Sequence, residues 1–321
     1  MFNFLKIGFQ TSEYMIYKKL GTTHLNVSVI GIGTWQFSGE WGKEFTQDEV
    51  NQILSAAESA GVNLIDTAEC YGNHLSERLL GLFLKKNKNR DNWILATKFG
   101  HVYKGFLDVE DHWSAAEVKR QLENSLTALC TNHIDIYQFH SGTNDVFDND
   151  ELWQTLGKEK QAGKIRYLGI SISEKMVLND DLFQIQKAKE RGIDIIQVRY
   201  NRLYRESEKF LIPECKKLKL GILVRQPLAC GYLSGKYDSC SQFPKNDVRY
   251  WLNRDSFLEE MNLVRKLQEN LGNNTNMAGW SVAWCLKNKN IGSVIVGCKN
   301  IAQLKDITDA IKIYAKTNRT V

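Results

Sequence analysis

The sequence predicts a single α/β domain: a (β/α)8 barrel of the TIM type with an N-terminal β-hairpin. Three observations carry this. Eight short apolar runs alternate with amphipathic runs of helical period along almost the whole chain, the pattern of a parallel sheet closed on itself. Polar residues stand at the C-terminal ends of the apolar runs, where a barrel of this class builds its site. The competing doubly wound sheet would put GxGxxG at its first strand–helix turn. That turn reads GIGTWQ here, without the third glycine.

The elements follow in order. Residues 16–28 read as a hairpin, and VSVIGIGT ends a strand at Thr34. From Thr46 a cap, acids in the first turn and apolar residues at helical spacing run to Gly61, the marks of a helix. VNLID ends at Asp66 and precedes a helix from Ser76; NWILATK ends at Lys98 and precedes one from Ser114. HIDIYQFH ends at His140, and the next helix stops at Gly163. IRYLGIS ends at Ser171, with a helix expected to run to Gly192. IDIIQV, containing Gln197, precedes a helix from Glu208 to Leu218. GILVRQ carries Arg225, and after a long loop a helix spans Phe257 to Leu271. A helix from Met277 to Lys287, the strand IGSVIVG ending at Gly297 and a helix from near Ile301 complete the chain.

A length of 321 residues suits one barrel of about 250 residues with insertions. Only three prolines occur, so no Pro-rich linker divides the chain, and residues 1–321 read as one domain. Residues 1–15 have one Lys and no small-residue cleavage site. They read as a disordered or additional N-terminal extension, not a signal peptide. Forty-two Lys+Arg against 37 Asp+Glu leave +5, too little to suggest nucleic-acid binding, while a local basic site for a phosphorylated ligand remains compatible. The seven cysteines are odd in number and none is in CxxC spacing. That disfavours a disulfide framework or a zinc site and points to a reducing cytoplasm. No apolar run approaches the ~20 residues that span a membrane.

Asp66, Tyr71, Lys98 and His140 make chemical sense together. A free tyrosine is a poor acid at neutral pH, and a nearby ammonium is expected to lower its pKa. Lys98 would supply that charge, Asp66 would hold Lys98 protonated, and His140 would orient a substrate carbonyl. The set provides a proton donor for a carbonyl oxygen that gains negative charge. None of the four is a hydride source, which implies a nicotinamide cofactor. Singly, each has an ordinary explanation: Asp-Thr after a strand is commonly a turn or cap, a lone Lys is usually solvated, and a loop Tyr usually packs. Their joint position on successive strand ends separates them from that background.

The segments LIDTAECYGNHLSERLLG, ATKFG, IDIYQFH, GKIRYLGIS, QVRYN, PLACGYLSGKY and VGCKNIAQL, in this order from about Lys18 onward, resemble the aldo-keto reductase superfamily. The resemblance is to its bacterial branch, which includes sugar dehydrogenases and potassium-channel β subunits. It implies that Asp66, Tyr71, Lys98 and His140 are the catalytic tetrad and that NADP(H) is the cofactor. By the same resemblance Gly33, Thr34 and Trp35 lie beneath the nicotinamide, near Asp66, and Ser171 and Gln197 bind its carboxamide. Leu228, Gly231 and Lys236 cover the pyrophosphate. Gly297, Lys299 and Gln303 hold the adenosine phosphate, where a helix start and a Lys favour an anion; a solvated surface lysine is the ordinary alternative for Lys299.

Three positions depart from the family pattern. Ile172 follows Ser171 where Asn is usual, Arg225 replaces an aromatic residue stacked on the nicotinamide, and Ile307, beside Asp306, stands where Asn is often near the adenine. A guanidinium plane can also stack on a ring, so the resemblance still implies a cofactor contact at Arg225.

The resemblance implies reversible reduction of an aldehyde or ketone, with Tyr71 as general acid and base. An NAD(P)-dependent sugar or aldose dehydrogenase and a slow cofactor-binding regulatory subunit are the alternatives. A small carbonyl or sugar is the expected partner, with no nucleic acid, membrane or metal. Asp66 and His140 lack an HxH or HExxH companion, and Lys98 would repel a cation. Cys230 and Cys298 read as small buried residues. Trp41, His101, Trp113 and Trp251 are candidates for the substrate wall or for ordinary packing.

Overall fold

A computed structural model describes residues 15–272 and 274–318. Apart from Met15, the expected extension over residues 1–15 lies outside the described residues. Eight parallel strands close a barrel in the order β3 (Ile30–Gly33), β4 (Leu64–Asp66), β5 (Ile94–Phe99), β8 (Ile134–His140), β9 (Ile165–Ser171), β10 (Ile193–Arg199), β11 (Gly221–Arg225) and β12 (Ser293–Gly297), the last pairing back to β3. The register sets the rim. Gly297, Gly33 and Asp66 stand level on three neighbouring strands, as do His140, Ser171 and Gln197 on three others.

The expected hairpin forms from β1 (Tyr17–Lys19) and β2 (Asn26–Ser28). Its Leu20, Leu25 and Val27 are buried against Leu64, Ala96, Ile136, Ile195, Leu223 and Ile295 from the barrel interior. The hairpin therefore stoppers the N-terminal mouth with apolar area removed from water. Gly21 makes this approach possible: its φ is +57°, and a Cβ there would lie 2.3 Å from the Gly221 nitrogen.

The outer helices follow local sequence signals. In α1 (Gln47–Ser59), Thr46 accepts from the Glu49 amide while the Glu49 carboxylate accepts from the Thr46 amide, a reciprocal capping box. Its Val50, Ile53, Leu54 and Ala57 face the barrel. α2 (Leu75–Asn87) and α3 (Ala115–Ala128) also start close to the expected positions, α5 (Asp150–Gln161) ends near the expected stop at Gly163, and α4 (Asn144–Phe147) is a single turn ahead of α5.

Two elements differ from expectation. The helix expected from Ser171 to Gly192 is split into α6 (Glu174–Leu178) and α7 (Phe183–Gln186). Asp180 takes φ +52° at the break, and the Asp181 carboxylate accepts from the Phe183 amide at 2.9 Å and from Asn144 at 2.7 Å. Short acidic side chains here bond the backbone in place of helical carbonyls. The second difference is a hairpin outside the barrel, β6 (His101–Gly105) and β7 (Asp108–Asp111), which rises from the end of β5. Beyond the barrel's sixth strand, α8 (Leu211–Lys217), α9 (Arg254–Leu271), α10 (Met277–Leu286), α11 (Ile301–Thr308) and α12 (Ala310–Asn318) complete the shell.

Behind the β4 loop two carboxylates are buried together. Glu77 accepts from Thr97 at 2.7 Å and is 2.5 Å from His74. Glu69 has one oxygen without a partner among the described residues, and burial, then the neighbouring Glu77, push its pKa from 4.5 up to about 9. A raised folded-state pKa gives stability that is full below pH 4.5 and declines as pH rises toward 9. At pH 7 the 2.5-unit gap from 4.5 corresponds to about 3 kcal/mol. We predict that Glu69→Gln flattens the stability–pH profile between pH 5 and 9, measured by urea unfolding at each pH. A profile that keeps its slope would show that Glu69 is ionised in the folded protein.

Candidate active site

The strand ends converge on one cavity of about 410 Å3, lined among others by Trp35, Asp66, Tyr71, His101, His140 and Arg225. At its floor lies a buried polar network. Lys98, 1% exposed, donates from Nζ to Asp66 Oδ2 at 2.6 Å, to the Thr67 carbonyl at 2.7 Å and to the Tyr71 hydroxyl at 3.1 Å. Three acceptors match the three donors of an ammonium. The other Asp66 oxygen accepts from Gln138 at 3.0 Å and from Gln197 at 2.7 Å. The four residues of the expected tetrad meet at this rim, His140 lining the cavity with Asp66 and Tyr71.

Electrostatics assigns protonation. Burial is the largest influence on Lys98 and opposes its charge, but Asp66 and Tyr71 together outweigh it and raise the pKa. The Tyr71 phenol moves the other way from the expected lowering. Burial pushes it up to about 12, and the downward pull of Lys98 is the smaller effect. Tyr71 therefore keeps its proton at neutral pH and is still bonded to an ammonium. His140 is held well below the ordinary imidazole range by burial, then by Lys98, His101 and Arg225. It is a neutral ring beside Tyr71, the two centroids 6.3 Å apart.

Other expected residues fall around this centre. The Trp35 ring lies parallel to Tyr71 at 5.9 Å, and its indole N–H donates to Glu40 at 2.6 Å. Thr34 is buried, its hydroxyl donating to the Asp66 carbonyl at 3.1 Å. Gly33, Ser171, Leu228, Gly231 and Gly297 line the cavity. Gln197 also lines it, but its amide N–H bonds go to Asp66 and Gln138, leaving its carbonyl oxygen for any ligand. Ile172, at the departure from the family pattern, packs into the core. Its carbonyl accepts from Arg225 at 3.2 Å, and Glu174 is 3.5 Å from the same guanidinium. Burial lowers the Arg225 pKa, and its buried Nε has no partner among the described residues.

A second cavity of about 70 Å3 adjoins the first and is lined by Lys236, Arg249, Lys299, Gln303, Asp306 and Ile307 among others. The Asn300 side chain caps α11 through the Gln303 amide at 2.9 Å, and Gln303 in turn accepts from the Lys299 amide at 2.9 Å. Lys299 Nζ donates to the Trp41 carbonyl. Burial, then Arg249, push the Lys299 pKa down to about 8, with Lys236 and Lys43 adding to the effect and Asp247 opposing it. Of the expected wall residues, Trp41 and His101 line the first cavity. Trp113 packs behind His101 at 5.3 Å, and Trp251 is exposed on the outside. Burial pushes Cys230 up to about 11 and Cys298 up to about 12, so neither is a ready nucleophile. Among the described residues no cluster of His, Cys, Asp or Glu could hold a metal, and no helix is long and apolar enough to cross a membrane.

Sequence reasoning passed over Gln138, Gln36, Glu40 and Cys70. Gln138 had a signal: it is the amide in IDIYQFH two residues before His140, hence on the same strand face. Glu40 and Cys70 sit in turns and Gln36 in a single 3-10 turn (residues 35–38), none with a periodicity to expose it.

Residues 29–320 match the aldo/keto reductase family. The chain belongs to that family. An uncharacterized oxidoreductase, YqkF, from Bacillus subtilis (strain 168) is 30% identical over 312 residues, covering 95% of this chain and 94% of the relative. The holo form of aldo-keto reductase AKR11C1 from Bacillus halodurans superposes with a TM-score of 0.74 at 29% identity, over 93% of this chain and 91% of that one. The glycerol dehydrogenase AKR11B4 from Gluconobacter oxydans gives 0.73 at 27% identity, over 91% and 89%. Family membership makes the chain an oxidoreductase of a family that uses nicotinamide cofactors.

The Asp66–Lys98 pair yields a stability prediction. Asp66→Leu leaves a buried ammonium short of its counter-charge, and we expect a loss of about 3–5 kcal/mol. Asp66→Leu combined with Lys98→Met should lose less than the sum of the single losses, measured by urea unfolding. Strict additivity would mean that the pair is not energetically coupled.

Proposed function

We propose that this protein is an NADP(H)-dependent reductase of aldehydes or ketones, with Tyr71 as proton donor. The observation that carries the reading is the position of Lys98 Nζ, bonded at once to Asp66 and to the Tyr71 hydroxyl at the floor of a cavity. When bound, the nicotinamide supplies the hydride. The chain's own residues handle the oxygen. Neutral His140 offers an N–H to the carbonyl oxygen and orients it. Tyr71 releases its proton as negative charge develops there. Lys98 stabilises the phenolate left behind, and Asp66 keeps Lys98 charged.

The remaining rim suits the cofactor. Among the described residues the buried Arg225 Nε and the Gln36 Oε1 have no partner, and both residues border the first cavity. Buried polar atoms without partners are costly unless a ligand satisfies them. Ser171 and the free Gln197 oxygen suit the carboxamide, and the guanidinium of Arg225 suits a planar ring. Lys236 and Gly231 suit the pyrophosphate. Lys299 beside Arg249, with Gln303 at the start of α11, suits the additional phosphate that distinguishes NADP from NAD.

Two predictions test this reading. Tyr71→Phe keeps the ring and should cut steady-state reduction of a reactive aldehyde by about 10²–10⁴-fold, with NADPH affinity retained in a parallel fluorescence titration. Normal turnover would remove Tyr71 from the chemistry. Tight NADPH binding by the wild type without turnover across a carbonyl panel would favour a regulatory subunit. In the same titration Lys299→Met should erase a preference for NADPH over NADH, and Lys236→Met should weaken both. Wild-type NADPH affinity should decline as pH rises through about 8, because Lys299 loses its charge there. An affinity indifferent to both replacements and to pH would place these lysines in solvent.

A further inference from the structure

The β6–β7 hairpin brings a second imidazole to the cavity, one that proton transfer does not use. His101 Nδ1 lies 2.7 Å from the Asp111 carboxylate, its register partner across the hairpin. A carboxylate accepts and does not donate, so Nδ1 carries hydrogen. In the neutral ring Nε2 is then a bare acceptor, and among the described residues no group bonds it. His140 has the opposite arrangement. Its Nδ1 lies 3.9 Å from Cys70 Sγ, and burial pushes that thiol up to about 12. The sulfur keeps its hydrogen, and with the thiol as donor to Nδ1 the neutral His140 ring carries its own hydrogen on Nε2. The two ring centroids are 4.9 Å apart, and both rings line the cavity with Tyr71. The Trp113 ring supports His101 from behind at 5.3 Å.

A donor imidazole beside an acceptor imidazole is complementary to a carbonyl beside a hydroxyl. The carbonyl oxygen only accepts, and His140 and Tyr71 both offer it hydrogen. A neighbouring hydroxyl has a hydrogen to give, and His101 offers it a lone pair. We propose that His101 is a specificity residue that accepts a hydrogen bond from a hydroxyl on the carbon next to the substrate carbonyl, so that the site prefers α-hydroxy aldehydes and ketones. This rests on the carbonyl-reductase reading above. Asp111 is the positioning residue: it fixes the ring and its tautomer, as a carboxylate does for a histidine ligand elsewhere.

The test compares hydroxyacetone with butanone, which carries a methyl in place of the hydroxyl. The quantity read is the ratio of kcat/KM for the two ketones with NADPH, in the wild type, in His101→Phe and in Asp111→Leu. Intrinsic reactivity cancels when the ratios are compared between proteins. His101→Phe keeps a ring against Trp113 and should lower the ratio about tenfold, the worth of one hydrogen bond. The loss should lie in the KM for hydroxyacetone. Asp111→Leu leaves His101 in place, changes an exposed position, and should lower the ratio in the same direction. A ratio unchanged in both variants would overturn the proposal. So would equal losses on the two ketones, since butanone has no hydroxyl for His101 to accept from. A wild type that reduces no carbonyl at all would instead defeat the underlying reductase reading, and this proposal with it.

Discussion

An ammonium that is 1% exposed persists inside a barrel only if its charge and its three hydrogens are all met. Lys98 meets that condition through Asp66, the Thr67 carbonyl and the Tyr71 hydroxyl. The arrangement binds four chain segments to one geometry. Asp66 ends β4, Thr67 and Tyr71 leave on its loop, and Lys98 stands near the end of β5. Gln138 from β8 and Gln197 from β10 occupy the second Asp66 oxygen. The network closes the top of the barrel with every charge partnered, while the β1–β2 hairpin closes the bottom with apolar side chains. One end of the molecule is built for chemistry and the other for stability, as the barrel class dictates.

The same pair resolves an apparent conflict in the site. Burial makes Tyr71 a weaker acid than free tyrosine, with a pKa of about 12. Read alone, that would disfavour proton release. The ammonium 3.1 Å away has its largest effect on the phenolate, which exists only as the proton leaves. An interaction stronger in the transition state than in the ground state is the kind that accelerates a step. A high resting pKa also keeps Tyr71 loaded with its proton at neutral pH.

Most of the barrel was legible because its signals are periodic. Apolar strands and amphipathic helices repeat at 2.0 and 3.6 residues, and Asp66, Lys98, His140 and Ser171 stand at or near strand ends, where the barrel class puts function. Gln138 was hidden because a buried amide inside an apolar strand resembles an ordinary exception to alternation. The β6–β7 hairpin was hidden because its HVYKGFLDVED segment, short and polar on one strand, reads as loop. The expected helix after Ser171 breaks because Asp180 takes a positive φ and the Asp181 carboxylate accepts from the Phe183 amide. The direction of the Tyr71 shift was misjudged because distance to a charge can be anticipated from a motif, whereas desolvation depends on what surrounds the ring.

In the proposed reaction a fully protonated Tyr71, held by Lys98, is the group that donates to the carbonyl oxygen. The most direct test is kcat for aldehyde reduction and for oxidation of the matching alcohol, each followed from pH 6 to 10 at saturating cofactor. With the phenol pKa at about 12, reduction should be flat between pH 6 and 9, and alcohol oxidation should rise with pH because Tyr71 must first lose its proton. A reduction rate that falls through pH 6–8 would contradict the account, since it would make a group titrating in the imidazole range the donor.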